Sequence, residues 1–270
     1  MKKLISILMV LLLIVAFVGC SKNEEPTTEA PATEMPSTLV DGTYTASYSH
    51  YDSRGWVPVL TLEIKEGKIS LAMMDYVNGS DGHFKSEDEE YSKNMSAKTN
   101  VTPKDAYDQL NQVLVDTQDI SKVDAVAGAT HSSEYFHEMV SGILLKAASG
   151  DTSNLVLPMN ATYSSSEADF DERGWKATVS VTYENGKITS VMYDYVDKDG
   201  NKKRDNEEYN KSMKEVSGVS SLEASQALEA SLVNSQNPEK IDVVTGATSS
   251  STKFIELAKN AIESRMEYNK

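Results

Sequence analysis

Asp124-Ala-Val-Ala-Gly-Ala-Thr130, with Ser132 and Ser133 behind it, is written a second time as Asp242-Val-Val-Thr-Gly-Ala-Thr248, with Ser250 and Ser251 behind it. Outward from this phrase the same larger pattern recurs. Trp56 maps onto Trp175 and Gly67 onto Gly186 at an offset of 119, while Tyr91 maps onto Tyr209 and Thr130 onto Thr248 at 118. One residue is missing between Tyr195 and Tyr209, and the register otherwise holds, so the chain is a duplicated module. Core positions drift between copies as long as volume and pattern are kept, whereas a small-residue turn ending in a hydroxyl has no packing duty. Its repetition points to a shared chemical task.

The residues around the phrase specify an α+β fold: two tandem repeats of a small antiparallel sheet with packed helices. Each copy opens on a strand, Thr43 to Tyr48 and then Ala161 to Ser164, followed by Arg-Gly-Trp at 54–56 and 173–175. Alternating apolar stretches come next, Val57 to Ile64 with Ile69 to Tyr76, and Ala177 to Tyr183 with Ile188 to Val196. Glu66-Gly67 and Asn185-Gly186 separate them, and such pairs favour the tight hairpin turns that need positive φ. Helices are expected from Thr102-Pro103-Lys104-Asp105 and Ser220-Ser221-Leu222-Glu223, where a hydroxyl followed three residues later by an acid forms a capping box. Ala106, Leu110 and Leu114, matched by Ala224, Leu228 and Leu232, line one face of that helix. A last helix follows each phrase, with Phe136, Met139, Val140, Ile143 and Leu144 answering Phe254, Leu257, Ala258, Ala261 and Ile262 at core-face spacing.

The N-terminus reads as an export leader: Met1-Lys2-Lys3, an apolar run from Leu4 to Val18, then Gly19-Cys20. The run extends about 22 Å as a helix, short of the roughly 30 Å of a bilayer core. Residues 1–19 are expected to be a lipoprotein signal, and Cys20, the sole cysteine of the chain, its lipidated junction. Residues 20–40 are rich in Thr, Pro, Glu and Ala and read as a disordered tether. The two modules are placed at 41–149 and 150–270, with a polar break around Ser149-Gly150-Asp151-Thr152-Ser153-Asn154. This organisation predicts a cell-membrane location, lipid-anchored on the extracellular face. The formal charge of −15 repels phosphate backbones, so no nucleic acid is expected as a partner.

Within the phrase, Gly128 and Gly246 allow backbone angles closed to other residues, and Ala129 and Ala247 keep the turn uncrowded. Thr130 and Thr248 feed a helix N-terminus, whose free N–H groups and dipole favour an anion. Taken alone, the same residues would serve as a tight turn and an N-cap.

The repeated phrase resembles the Asp-x-x-(Ser/Thr)-Gly-Ala-Thr signature of the FMN-binding domain family. The likeness extends to the Arg-Gly-Trp element, to Asn185-Gly-Lys-Ile188, and to Glu89-Glu-Tyr91 with Glu207-Glu-Tyr209. It implies that Thr130 and Thr248 each carry one FMN through a phosphoester, two covalent flavins in all, added by a secreted FAD:protein FMN transferase. Asp124, Gly128 and Ala129, and Asp242, Thr245, Gly246 and Ala247, are then the remaining signature positions. The first copy departs from the signature at Ala127. The two-domain arrangement is similar to flavinylated surface lipoproteins of Gram-positive extracellular electron transfer. That similarity implies a carrier that takes electrons from a membrane quinol-linked reductase and passes them to extracellular acceptors such as ferric iron. The alternative is a ligand-binding or adhesion lipoprotein without a cofactor, and the leader leaves room for a signalling peptide.

Other motifs point to the surface rather than to chemistry. Asp197, Asp199 and Asn201, with Glu208 at position twelve, resemble a calcium loop, but Lys202 stands where such a loop needs glycine. His131 and His137 have no counterpart in the second copy, and no metal site is expected. Glu87 to Glu90 reads as a solvated face, and Trp56 and Trp175 as core residues able to stack on a flat ligand.

Overall fold

β-branched and aromatic residues at alternating positions build each sheet, and the computed structural model describes residues 38–269. The leader, Cys20 and nearly all of the expected tether lie outside the described residues. In the first module β1 (Gly42–Tyr48) pairs antiparallel with β2 (Trp56–Lys65), which pairs antiparallel with β3 (Lys68–Asn78). The short β4 (Leu155–Leu157) joins β1 in parallel and gives the order β3-β2-β1-β4. In the second module β5 (Ala161–Ser166), β6 (Lys176–Glu184) and β7 (Lys187–Val196) form an antiparallel three-stranded sheet in that order. The expected hairpin turns are present. Glu66 and Gly67 have φ of 54° and 69°, Asn185 and Gly186 of 50° and 75°, the left-handed pair that matches strand twist.

One helix in each module was not anticipated from sequence. α1 (Glu89–Thr99) starts at Asp88, whose side chain accepts from Tyr91 N, and α4 (Glu207–Ser217) starts in the same way at Asn206. Neither buries any residue, although Tyr209, Met213 and Val216 of α4 recur at helical spacing. α2 (Pro103–Thr117) and α5 (Ser221–Ser235) carry complete capping boxes, Thr102 with Asp105 and Ser220 with Glu223. α3 (Thr130–Ser149) and α6 (Thr248–Glu263) begin at the threonines of the repeated phrase.

The helices cover one face of each sheet, α2 on β3 and α3 on β1 and β2, α5 on β7 and α6 on β5 and β6. Leu60, Leu62 and Ile64 meet Leu110, Leu114, Phe136 and Val140 in the first core, and Val179 and Val181 meet Leu228, Leu232, Phe254 and Ala258 in the second. The α+β reading and its two tandem small sheets hold.

Both modules lie in one compact unit and touch. Tyr163 Oη donates to Tyr51 O at 2.6 Å, Tyr51 N to Met266 O at 3.0 Å, and Tyr268 N to Ser49 O at 2.9 Å. Arg265 Nη1 lies 2.7 Å from His50 Nε2. Burial, then the Arg265 charge, hold the His50 imidazole below its ordinary pKa, which suits its neutral ring nitrogen to accept a hydrogen bond from the guanidinium. Among the described residues no helix is long and apolar enough to cross a membrane.

Candidate functional site

The turn that precedes α3 has a definite internal structure. Ala129 N donates to Val126 O at 2.9 Å, and the buried Ser133 Oγ accepts from Val126 N at 3.0 Å and donates to Ala129 O at 3.1 Å. The second copy repeats it: Ala247 N to Val244 O at 3.0 Å, Val244 N to Ser251 Oγ at 3.0 Å, Ser251 Oγ to Ala247 O at 2.9 Å. The serines therefore tie the turn to the helix. The N-cap positions are Ala129 and Ala247, and neither makes a side-chain cap bond. Thr130 and Thr248 are the first helical residues, both exposed, and their hydroxyls bond to no described residue. A purely structural turn has no use for those hydroxyls.

Gly128 and Gly246 both have φ of +83°. Each also lies against the end of α1 or α4: a Cβ would stand 2.5 Å from Thr99 Cβ in the first copy and 2.2 Å from Ser217 O in the second. The glycine is thus needed twice over, for its backbone angle and for close approach to α1 or α4. Ala129 and Ala247 are buried beneath the turn at 6% and 5% exposure. Asp124, Asp242 and Thr245 lie exposed on its outer side.

Thr130 opens onto a cavity of about 1010 Å³ whose walls include Tyr76, Lys85, Tyr91, Tyr107 and Tyr135. That is ample for a nucleotide-sized ligand. Asn160, Ala161 and Thr162 of the second module close one side. Arg54, Lys85 and Lys98 line the cavity against the single carboxylate of Asp52, so a chain of net charge −15 here presents cations. Burial pushes the Tyr76 and Tyr107 hydroxyls well above the ordinary phenol range, which keeps them neutral donors. Tyr76 Oη donates to Ser132 Oγ, two residues from Thr130, at 3.1 Å.

The residue that sequence reasoning missed is Lys85, with its counterpart Lys203. Each stands in a short 3-10 turn after the central hairpin, at 85–87 and 203–205, only 5% and 7% exposed. Asp75 Oδ1 holds the first turn by accepting from Tyr76 N at 2.7 Å and Ser86 N at 3.2 Å, and Asp194 Oδ1 holds the second from Tyr195 N at 2.8 Å and Arg204 N at 3.1 Å. Trp56, expected in the core, is buried and walls Lys85. Comparison of the two copies was the available signal, because Trp56, Lys85 and Tyr91 repeat as Trp175, Lys203 and Tyr209.

The second site is built alike but surrounded differently. Tyr107, Lys98 and Tyr135 are replaced at matching positions by Ser225, Val216 and Lys253. A cavity of about 550 Å³ beside Trp175 runs along the 197–206 loop and does not reach Thr248. In that loop the Asp197 carboxylate is occupied by Asp199 N, Asn201 N and Asn201 Nδ2 at 2.8–2.9 Å. His131 pairs with Glu134 at 3.0 Å on the surface, and His137 Nε2 lies 2.6 Å from Val123 O.

The FMN-binding domain family matches residues 174–263. A 15 kDa lipoprotein of Treponema pallidum (strain Nichols) is 41% identical over 105 residues, 39% of this chain and 74% of that protein. Among solved structures, a crystal structure of a Clostridium perfringens protein is 29% identical and covers 45% of this chain and 98% of that one, with a TM-score of 0.43. A solution NMR structure of a Clostridium thermocellum protein is 31% identical over 38% of this chain and 89% of that one, with a TM-score of 0.27.

Proposed function

This chain belongs to the FMN-binding domain family, and from that premise we propose that it is an extracellular electron carrier, lipid-anchored at Cys20, with one FMN phosphoester-linked to Thr130 and one to Thr248. The observation that carries the reading is the pair of exposed threonine hydroxyls at the first position of α3 and α6, unused by the fold while Ser133 and Ser251 do the structural bonding. An accessible hydroxyl on a rigid turn is what a secreted FAD:protein FMN transferase requires, and the helix N-terminus offers N–H groups to the resulting phosphate. The cradle fits the group: the cavity beside Thr130 is large enough, Arg54 and Lys98 suit an anion, and Tyr91 and Tyr107 offer faces to a flat ring.

FMN supplies the redox chemistry, accepting two electrons and releasing them singly, and the chain's part is attachment, orientation and environment. Covalent attachment keeps the flavin from loss by dilution outside the cell. The Treponema relative is named a lipoprotein, which supports the reading of Cys20 as an anchor. A membrane quinol-linked reductase is the proposed donor and ferric iron the type of acceptor.

The test is the intact mass of the chain from Ser21 onward, co-expressed with a flavin transferase. Two FMN additions in wild type, one in Thr130→Ala and in Thr248→Ala, and none in the double variant are expected. An unmodified wild type beside a modified control substrate would leave a cofactor-free binding lipoprotein as the better reading.

A further inference from the structure

Lysine is seldom buried, because its ammonium loses hydration that the interior must replace. Lys85 and Lys203 are nonetheless almost fully enclosed, and neither forms an ion pair with a described carboxylate. Ring faces surround them instead. Lys85 Nζ lies 3.9 Å from the ring centre of Tyr76 and 4.8 Å from those of Trp56 and Tyr91. Lys203 Nζ lies 4.5 Å from Tyr195, 4.7 Å from Tyr209 and 5.2 Å from Trp175. A three-ring cage around a buried cation therefore occurs twice, at matching positions, each time held by a buried or half-buried aspartate on the turn. In the first module the caged ammonium and Thr130 line one cavity.

A methionine would fill the same space without the cost of taking a charge out of water. Burial lowers Lys85 to about 8, against the opposing pull of Asp52, Asp75 and Asp88 and in concert with Arg54, so the ammonium still carries its charge at pH 7.

We propose that Lys85 is the cation that faces the flavin ring of the first module and favours its reduced state. The proposal rests on Thr130 being the attachment residue of the first module. When a quinol-type donor delivers two electrons and one proton into the site and releases its second proton to solvent, the site gains one unit of negative charge. A fixed ammonium in an enclosure of low polarity stabilises that charge more than mobile water would, and it offers the uncharged oxidised ring no equal gain. The difference between the two states is what moves a potential.

The experiment uses the full soluble chain carrying Thr248→Ala, so that a single flavin reports on the first site. Lys85→Met and Lys85→Arg are added, each co-expressed with the transferase, checked by intact mass and titrated spectroelectrochemically. With one FMN in place, Lys85→Met is expected to lower the ratio of reduced to oxidised flavin at fixed potential about tenfold, which is about 30 mV downward for a two-electron couple. Lys85→Arg, which keeps the charge, is expected to stay within about a third of that shift. A loaded Lys85→Met with the parent's midpoint overturns the proposal. So does a Lys85→Met that folds but loses its FMN mass while the parent keeps it, since the lysine then serves attachment. A parent without FMN overturns the attachment reading itself, and the mass alone separates that failure from the others. Should Lys85→Met not fold, Lys85→Gln in the same Thr248→Ala chain decides the matter by the same readings.

Discussion

Gly246 lies so close to the end of α4 that a Cβ on it would stand 2.2 Å from the carbonyl oxygen of Ser217. A Cβ on its counterpart Gly128 would stand 2.5 Å from the Cβ of Thr99 at the end of α1. The signature turn and the end of α1 or α4 are therefore one assembly, and the repeated glycine records a close approach as well as a positive φ.

Gly246→Ala must strain the left-handed backbone and displace the α4 terminus, at a cost of about 1–3 kcal/mol. Because Thr248 follows two residues later, the same change is expected to reduce FMN attachment there and leave Thr130 modified. Urea denaturation with intact mass checks both, and an unaltered midpoint with two FMN additions would show that the turn relaxes freely.

Thr130→Ala and Thr248→Ala are expected to alter stability by less than about 0.5 kcal/mol, since their hydroxyls bond to no described residue. Ser133→Ala and Ser251→Ala remove a buried hydroxyl that both accepts and donates, and are expected to cost about 1–3 kcal/mol. Thermal unfolding of the four variants without flavin compares them. Equal losses for threonine and serine would return the threonines to the role of helix caps.

How much of this was legible in the sequence depended on how local its cause was. Glu66-Gly67 and Asn185-Gly186 fix their hairpins within two residues, and Thr102 with Asp105 or Ser220 with Glu223 close a helix end within four. α1 and α4 escaped because they bury no residue and are rich in charge; Tyr209, Met213 and Val216 at helical spacing in α4, and Asp88 and Asn206 as caps, were the signals present. Lys85 lies within Lys-Ser-Glu-Asp-Glu-Glu, which reads as a solvated stretch. Its cage comes from β2, β3 and α1 and its cavity from α3, a convergence that only tertiary packing creates. β4 is three residues long, too short for any alternation to show, and it owes its existence to pairing with β1.

Lys85 gives the apoprotein a pH signature. Its pKa is lowered to about 8 in the fold, by burial first, against an ordinary 10.5. Between those values the unfolded chain binds the proton and the folded chain does not, so stability rises with pH across the window and the cost is full below about 8. The shift corresponds to a cost on the order of 3 kcal/mol, offset in part by ring contacts of about 0.5–2 kcal/mol. Lys85→Met without flavin is therefore expected to be more stable than wild type at pH 7, with the gap closing toward pH 10.5. A gap that is absent at pH 7 or independent of pH would mean that the rings fully replace the lost water.

Arg204 tests whether the two modules reach one turn by two chemistries. In the second module its guanidinium lies 3.2 Å from Asp194 Oδ2 through Nε and also bonds Glu229 and Tyr193 O. In the first module Ser86 and Asn111 stand at the matching positions, with Ser86 bonding Asp75 and Asn111 accepting from Met74 N at 3.1 Å. Arg204→Ala strands two enclosed carboxylates and is expected to cost about 3–5 kcal/mol at pH 7. Burial already holds Asp194 above the ordinary carboxylate range, so the folded chain keeps its proton to higher pH than the unfolded chain, and the loss should shrink as pH falls and Asp194 protonates. Arg204→Ser combined with Glu229→Asn rebuilds the neutral arrangement of the first module and is expected to recover most of the stability. Urea midpoints at pH 7 and pH 5 decide it: a double variant no better than Arg204→Ala would mean that the charged pair, and not the turn geometry it supports, is what the second module needs.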